Sequence, residues 1–145
     1  MLPRWHILFG VLFAGSIWFF APEINLVYLG LVFGASFLID FDHYIMGVKR
    51  TGKFSLGECF EYNVEAREKG RKEKAKGIFR KGDFHLFHTI EAHILMGALG
   101  LLWSGFFYIF IGMVFHSLLD LMSLLYAGGM YRREYFFFNW IRRKM

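Results

Sequence analysis

The sequence predicts an all-α fold, an integral membrane bundle of four transmembrane helices with an interfacial amphipathic cytoplasmic segment. Two observations carry this. Of the 145 residues 56% are hydrophobic, 21% are aromatic and only 20% are charged, more apolar surface than a single soluble domain of this length can bury. The charges are also segregated: of 17 Lys and Arg, 11 fall between Lys49 and Lys81, five between Arg132 and Lys144, and the last is Arg4. A nucleic-acid-binding domain interleaves basic residues with its fold, whereas here they flank long apolar blocks, so no nucleic-acid partner is expected. Cys59 is the single cysteine, which excludes an intrachain disulfide framework.

The chain reads as one transmembrane domain, 1–145. The first apolar segment, 5–21, is interrupted only by His6 and Ser16. Arg4 makes a thin n-region and Pro22 directly follows Ala21, so it is expected as a retained helix rather than a cleaved signal. The second, 24–43, runs into Asp40-Phe41-Asp42-His43 and thus ends among ionisable groups. A polar cytoplasmic loop, 47–83, follows. Within it Ser55-Leu56-Gly57-Glu58 has the form of a capping box, and Leu56, Cys59, Phe60 and Val64 recur at helical spacing before Gly70. A short helix on the membrane surface is expected there, then a solvated basic tether from Gly70 to Gly82.

The third segment, 84–103, is polar in its first half, with His85, His88, Glu91 and His93, and the fourth, 106–130, holds only His116 and Asp120 as ionisable groups. The short Ser104-Gly105 link implies an antiparallel hairpin. The aromatic and basic tail 131–145 suits an interfacial anchor. All 17 basic residues lie at the N-terminus, in the 47–83 loop or in the tail, which places both termini in the cytoplasm of a multi-pass cell (inner) membrane protein. Gly10, Gly30, Gly34, Gly97 and Gly100 are expected at close helix contacts, with Gly30-x-x-x-Gly34 a packing motif, and glycine-bearing faces offer a route to a homodimer.

An ionisable residue inside a spanning segment costs at least ~2.5 kcal/mol, so several in one small bundle call for a compensating ligand. At ~1.5 Å per residue, His93 and His116 can meet at one level, Asp120 stacks one turn from His116, and Asp40 and Asp42 end their helix on the same side. The expected metal ligands are therefore Asp40, Asp42, His88, His93, His116 and Asp120 around one or two divalent ions, zinc or manganese. This number of ligands exceeds one tetrahedral site, and a dinuclear centre is expected. Glu91 or His43 is the expected general base, or orients a ligand histidine. His88 and His93, five apart, point about 140° from each other on an ideal helix. Either the helix begins after His88 or its first turn is distorted. By i, i+3 spacing His85, His88 and Glu91 instead share a stripe, and His85 is either a peripheral ligand or solvent-facing. His6, beside Arg4 and Trp5, is read as an interfacial side chain with no role in the site.

Asp40-Phe41-Asp42-His43, His88-Thr89-Ile90-Glu91-Ala92-His93 and Gly112-Met113-Val114-Phe115-His116-Ser117-Leu118-Leu119-Asp120 together resemble the YdjM-like family of predicted membrane-bound metal-dependent hydrolases. That family shows Asp-x-Asp-His, His-Arg-Gly-x-Thr-His and Gly-x-x-x-His-x-x-x-Asp in this order. Ile39 stands where the family usually has Pro, and the Arg-Gly and Thr of the middle motif are absent. The resemblance implies a metal-dependent hydrolase. A site at the cytoplasmic interface suits a membrane lipid, or a lipid or lipid-linked phosphoester, as substrate, with nearby Lys and Arg holding the phosphate. The alternative is a non-enzymatic protein that binds or transports a divalent cation. The outer halves of the segments hold nothing more polar than Asn25, Ser16 and Ser104, which argues against a conduction path.

Overall fold

The computed structural model describes residues 3–145, most of which are helical, with no strand among them. Four apolar helices form the body: α1 (Pro3–Phe20), α2 (Leu26–Leu38), then, after two further helices, α5 (Ile90–Leu99) and α6 (Ser104–Tyr126). α3 (Phe41–Thr51), α4 (Leu56–Ala75) and α7 (Phe137–Arg142) gather at one end. The central packing is α2 against α6, with α1 laid mainly on α2 and α5 on α6. Two helical stretches are long and apolar enough to cross a membrane, Leu26–Thr51 and Ser104–Tyr126. The other two expected spans, in α1 and α5, do not reach that mark; α5 is only 10 residues long because a different local structure occupies its first turns.

The distribution of side chains is inverted relative to a water-soluble core. His6, Ser36, His88, Thr89, His116 and Asp120 are buried, while Phe19, Phe20, Leu26, Leu101 and Leu102 lie exposed. Of α1 only His6 and Gly10 are buried.

Small residues set how closely the helices approach. A Cβ at Gly112 would overlap the Val32 carbonyl and lie 3.2 Å from the Ser36 amide nitrogen, so α6 presses directly on the backbone of α2. A Cβ at Gly10 would overlap Ser36 Oγ, which fixes α1 on the neighbouring face of α2. Gly30 has nothing within 4 Å of its would-be Cβ and Gly34 only its own helix's Leu38, so the Gly30-x-x-x-Gly34 pair does not mediate packing within the chain.

The expected second helix is broken. Asn25 caps α2 by accepting from Val27 N–H at 2.8 Å, the helix stops at Leu38, and Asp40 becomes the N-cap of α3. On an unbroken helix residues two apart diverge by about 200°, so the break is what turns both Asp40 and Asp42 inward. The third segment departs from a single helix in the same functional sense. Leu86–His88 forms a 3₁₀ turn, Thr89 accepts from Ala92 N–H at 3.3 Å as N-cap, and α5 begins only at Ile90. The angle between His88 and His93 is thereby released from helical geometry.

The polar loop is more ordered than expected. Ser55 is the N-cap residue of α4 but makes no side-chain capping bond, and Glu58 pairs instead with Lys53. The helix does not stop at Gly70: Arg132 lies directly on that glycine and donates to the Ala66 carbonyl at 3.1 Å, so helix continues to Ala75 where a tether was expected. Buried Cys59 rests on Gly47 and holds α4 to α3. Beyond α6, Gly128 adopts φ 58°, a left-handed conformation that favours glycine, and the chain reverses. The tail then folds back, with Trp140 stacked on Phe84 at 4.3 Å and Ile90 N–H donating to Tyr135 O at 2.9 Å.

Candidate metal centre

Three elements deliver four side chains to one buried point. Asp40 comes from the α2–α3 break, His88 from the 3₁₀ turn, and His116 and Asp120 from successive turns of α6. One donor atom from each lies within 4.8 Å of every other. His88 Nε2 and His116 Nε2 are 3.1 Å apart, and Asp40 Oδ1 is 3.5 and 3.4 Å from them. Asp120 Oδ2 is 3.8 Å from each. Ligands held about 2.1 Å from a tetrahedral ion are separated by about 3.4 Å, so these spacings suit a single divalent cation.

The hydrogen-bonding pattern points the same way. His116 Nδ1 faces the Ser36 carbonyl at 2.8 Å, and a carbonyl only accepts, so the ring proton sits on Nδ1. That contact exists because Gly112, one turn earlier, lets α2 come close. His88 Nδ1 faces Asp42 Oδ2 at 3.0 Å, an oxygen that also accepts from Phe87 N–H at 3.1 Å. Donation from both Nδ1 atoms leaves two Nε2 lone pairs facing each other in a buried space. A cation between them satisfies both, and a carboxylate or carbonyl behind each imidazole is the usual support of a ligand histidine.

A second group, Asp42, His43 and His88, also meets within 4.8 Å. It shares His88 with the first, so the two are not independent. His43 Nε2 is 3.5 Å from Asp40 Oδ1, and its ring packs on that of His85 at 3.7 Å. His85 Nδ1 is 3.4 Å from Asp42 Oδ1, which places His85 at the rim of the group rather than in solvent.

Two expected participants are engaged elsewhere. His93 Nδ1 faces the Thr89 carbonyl at 2.8 Å and its Nε2 lies 2.9 Å from Ser117 Oγ and 3.3 Å from the Met113 carbonyl, so the residue stands outside both groups. Glu91 accepts from Phe137 N–H at 2.9 Å and Phe138 N–H at 3.4 Å, and so caps α7 instead of facing the donors. Conversely, His6, expected at the interface with no role in the site, is fully buried, with its ring stacked on His116 at 4.0 Å and its Nε2 3.2 Å from Asp120 Oδ1. Gly10, one turn on and on the same face, is the sequence signal that this side of α1 faces inward. Arg133, from the tail, donates to Asp120 Oδ2 at 2.6 Å.

Beside the donors, between α5 and α6, lies a groove of about 480 Å³. Its site end is formed by His88, Arg133 and Tyr135, and its far end by Ile94, Gly97 and Phe110. His88 is at once a donor and part of the groove wall. No family model, curated protein or solved structure matches the chain.

Proposed function

We propose that the chain is a membrane-embedded metal-dependent hydrolase acting on the phosphoester of a lipid or lipid-linked substrate, the activity that its resemblance to the YdjM-like hydrolases implies. The observation that carries this reading is the set of four buried donors, Asp40, His88, His116 and Asp120, at tetrahedral spacing beside an apolar groove. His₂Asp₂ donors suit zinc or manganese. A divalent ion there supplies Lewis acidity, lowering the pKa of water and offsetting charge that develops on a phosphoryl oxygen.

The protein's own groups divide the remaining work. Arg133, at the site end of the groove, offers a planar guanidinium to a phosphate. His43 Nε2, 3.5 Å from Asp40 Oδ1, is the group assigned to take a proton. The apolar far end of the groove takes hydrocarbon. Every Lys and Arg of the chain falls in segments at the site end of the bundle, which supports placing that end, with both termini, on the cytoplasmic side of an inner membrane.

The test is release of headgroup or phosphate from long-chain phosphomonoester and phosphodiester lipids in mixed micelles, using purified protein loaded with zinc or manganese. Turnover is expected in the wild type and a loss of at least ~10²-fold in His116→Ala and under chelator. Tight metal binding without turnover of any such lipid favours the non-enzymatic cation-binding reading instead.

A further inference from the structure

We infer that a second divalent cation sits beside the first, held by His6 Nε2 together with Asp40 Oδ2 and Asp120 Oδ1. The inference rests on reading the Asp40–His88–His116–Asp120 group as a metal site, and it assigns to α1 a ligand that none of the three motifs contains.

Three independent features lead there. Both aspartates split their oxygens between two sides. Asp40 Oδ1 faces His88 and His116, while its Oδ2 is 4.0 Å from His6 Nε2. Asp120 Oδ2 faces the same two histidines, while its Oδ1 is 3.2 Å from His6 Nε2. Two carboxylates so placed can each bridge a pair of ions. Second, the His6 and His116 rings are near-parallel, with centroids 4.0 Å apart and planes at 18°. Two imidazoles stacked in this way deliver donors to neighbouring positions at about the 3.5–4 Å separation of two-metal sites.

Third, His6 is fully buried, yet neither ring nitrogen makes a hydrogen bond. A buried imidazole with both nitrogens unsatisfied needs a partner, and one aimed at two carboxylate oxygens is suited to a cation. With three protein donors the second position keeps room for water and for a substrate oxygen, as a catalytic site requires.

The experiment is metal counting on the full-length, detergent-purified chain loaded with manganese and desalted, together with electron paramagnetic resonance of the same samples. The wild type is expected to hold two equivalents with an exchange-coupled multiline spectrum. His6→Ala is expected to hold one, with the six-line signal of an isolated ion. One equivalent or an uncoupled spectrum in the wild type overturns the inference, as do two equivalents in His6→Ala, while leaving the first site standing. No bound metal in the folded wild type overturns the first site as well. The coupled spectrum is read on the wild type and so does not depend on the variant folding.

Discussion

His88 Nε2 and His116 Nε2 face each other at 3.1 Å, and neither ring is free to turn away. His116 is fixed through Nδ1 by the Ser36 carbonyl and His88 through Nδ1 by Asp42. The first prediction follows from the second of these anchors. Asp42→Ala should weaken metal binding about 10–100-fold, the usual effect of removing the group behind a ligand histidine. Asp42→Asn keeps an oxygen to accept from Nδ1 and should lose less. Competition against a chelator of known affinity measures both. Equal, larger losses in the two variants would place Asp42 on the ion itself.

The departures of His93 and Glu91 from their expected roles are equally open to test. His93→Ala should keep its full metal content, since its ring is committed to Thr89 and Ser117. Glu91→Ala should also keep its metal but release the N-terminus of α7, and limited proteolysis should then cut the tail several-fold faster. Loss of metal in either variant would return that residue to the site.

What the sequence disclosed and what it hid have physical reasons. Apolar blocks and the motif carboxylates sufficed to find α1, α2 and α6 and to bring Asp40, Asp42, His88, His116 and Asp120 to one end, because depth along a helix is linear in residue number. The break at Asp40 was hidden, since nothing in Leu38-Ile39-Asp40-Phe41 stops a helix by propensity; the tertiary demand on two aspartates does. The continuation of α4 past Gly70 was hidden because its cause, Arg132, is remote in the chain. His6 was misjudged from its neighbours Arg4 and Trp5. The useful signal lay one turn away: His6-x-x-x-Gly10 on α1 and Gly112-x-x-x-His116 on α6 are mirror-ordered, and both glycines close on Ser36.

That pairing of glycine and histidine predicts unequal tolerance among the glycines of the bundle. Gly112→Leu should destabilise by about 1–3 kcal/mol, because its neighbours are the backbone of α2 and cannot yield as a flexible side chain would. Gly30→Ala should be neutral or stabilising, having open space and a better helix former. Thermal melting in detergent compares them. If Gly30→Ala melted as early as Gly112→Leu, the α2–α6 contact would not be the one that decides stability.

Cys59 gives a clean probe of the α3–α4 contact because it is the single thiol. It is 2% exposed, and a Cβ on Gly47 would lie 2.7 Å from its own Cβ. Native protein should label with maleimide at least ~10-fold more slowly than unfolded protein, because the thiolate must be reached to react. Gly47→Leu should lift α4 away and bring the rate close to the unfolded value. Fast labelling of the native wild type would contradict the docked α4.

The last prediction concerns the node that ties α4 to the chain just before the 3₁₀ turn. Asp83 accepts from Tyr62 Oη at 2.6 Å and from Arg50 Nε at 3.0 Å. Burial and then the hydrogen bond to Asp83 push the Tyr62 hydroxyl up from 10.0 to about 12. Burial opposes ionisation of Asp83, but the bonds from Tyr62 and Arg50 outweigh it and hold the carboxyl below its ordinary 3.8. The folded state therefore favours the protonated phenol, so that Tyr62's contribution is complete below pH 10 and is lost as pH rises towards about 12. Asp83's contribution is complete above pH 3.8 and is lost as the pH falls below it. Phenolate absorbance of the wild type minus that of Tyr62→Phe should resolve one tyrosine titrating near 12, and the melting temperature of the wild type should fall towards that of the variant across the same interval. A difference titration centred near 10 would mean that Tyr62 is not bonded to Asp83 in solution.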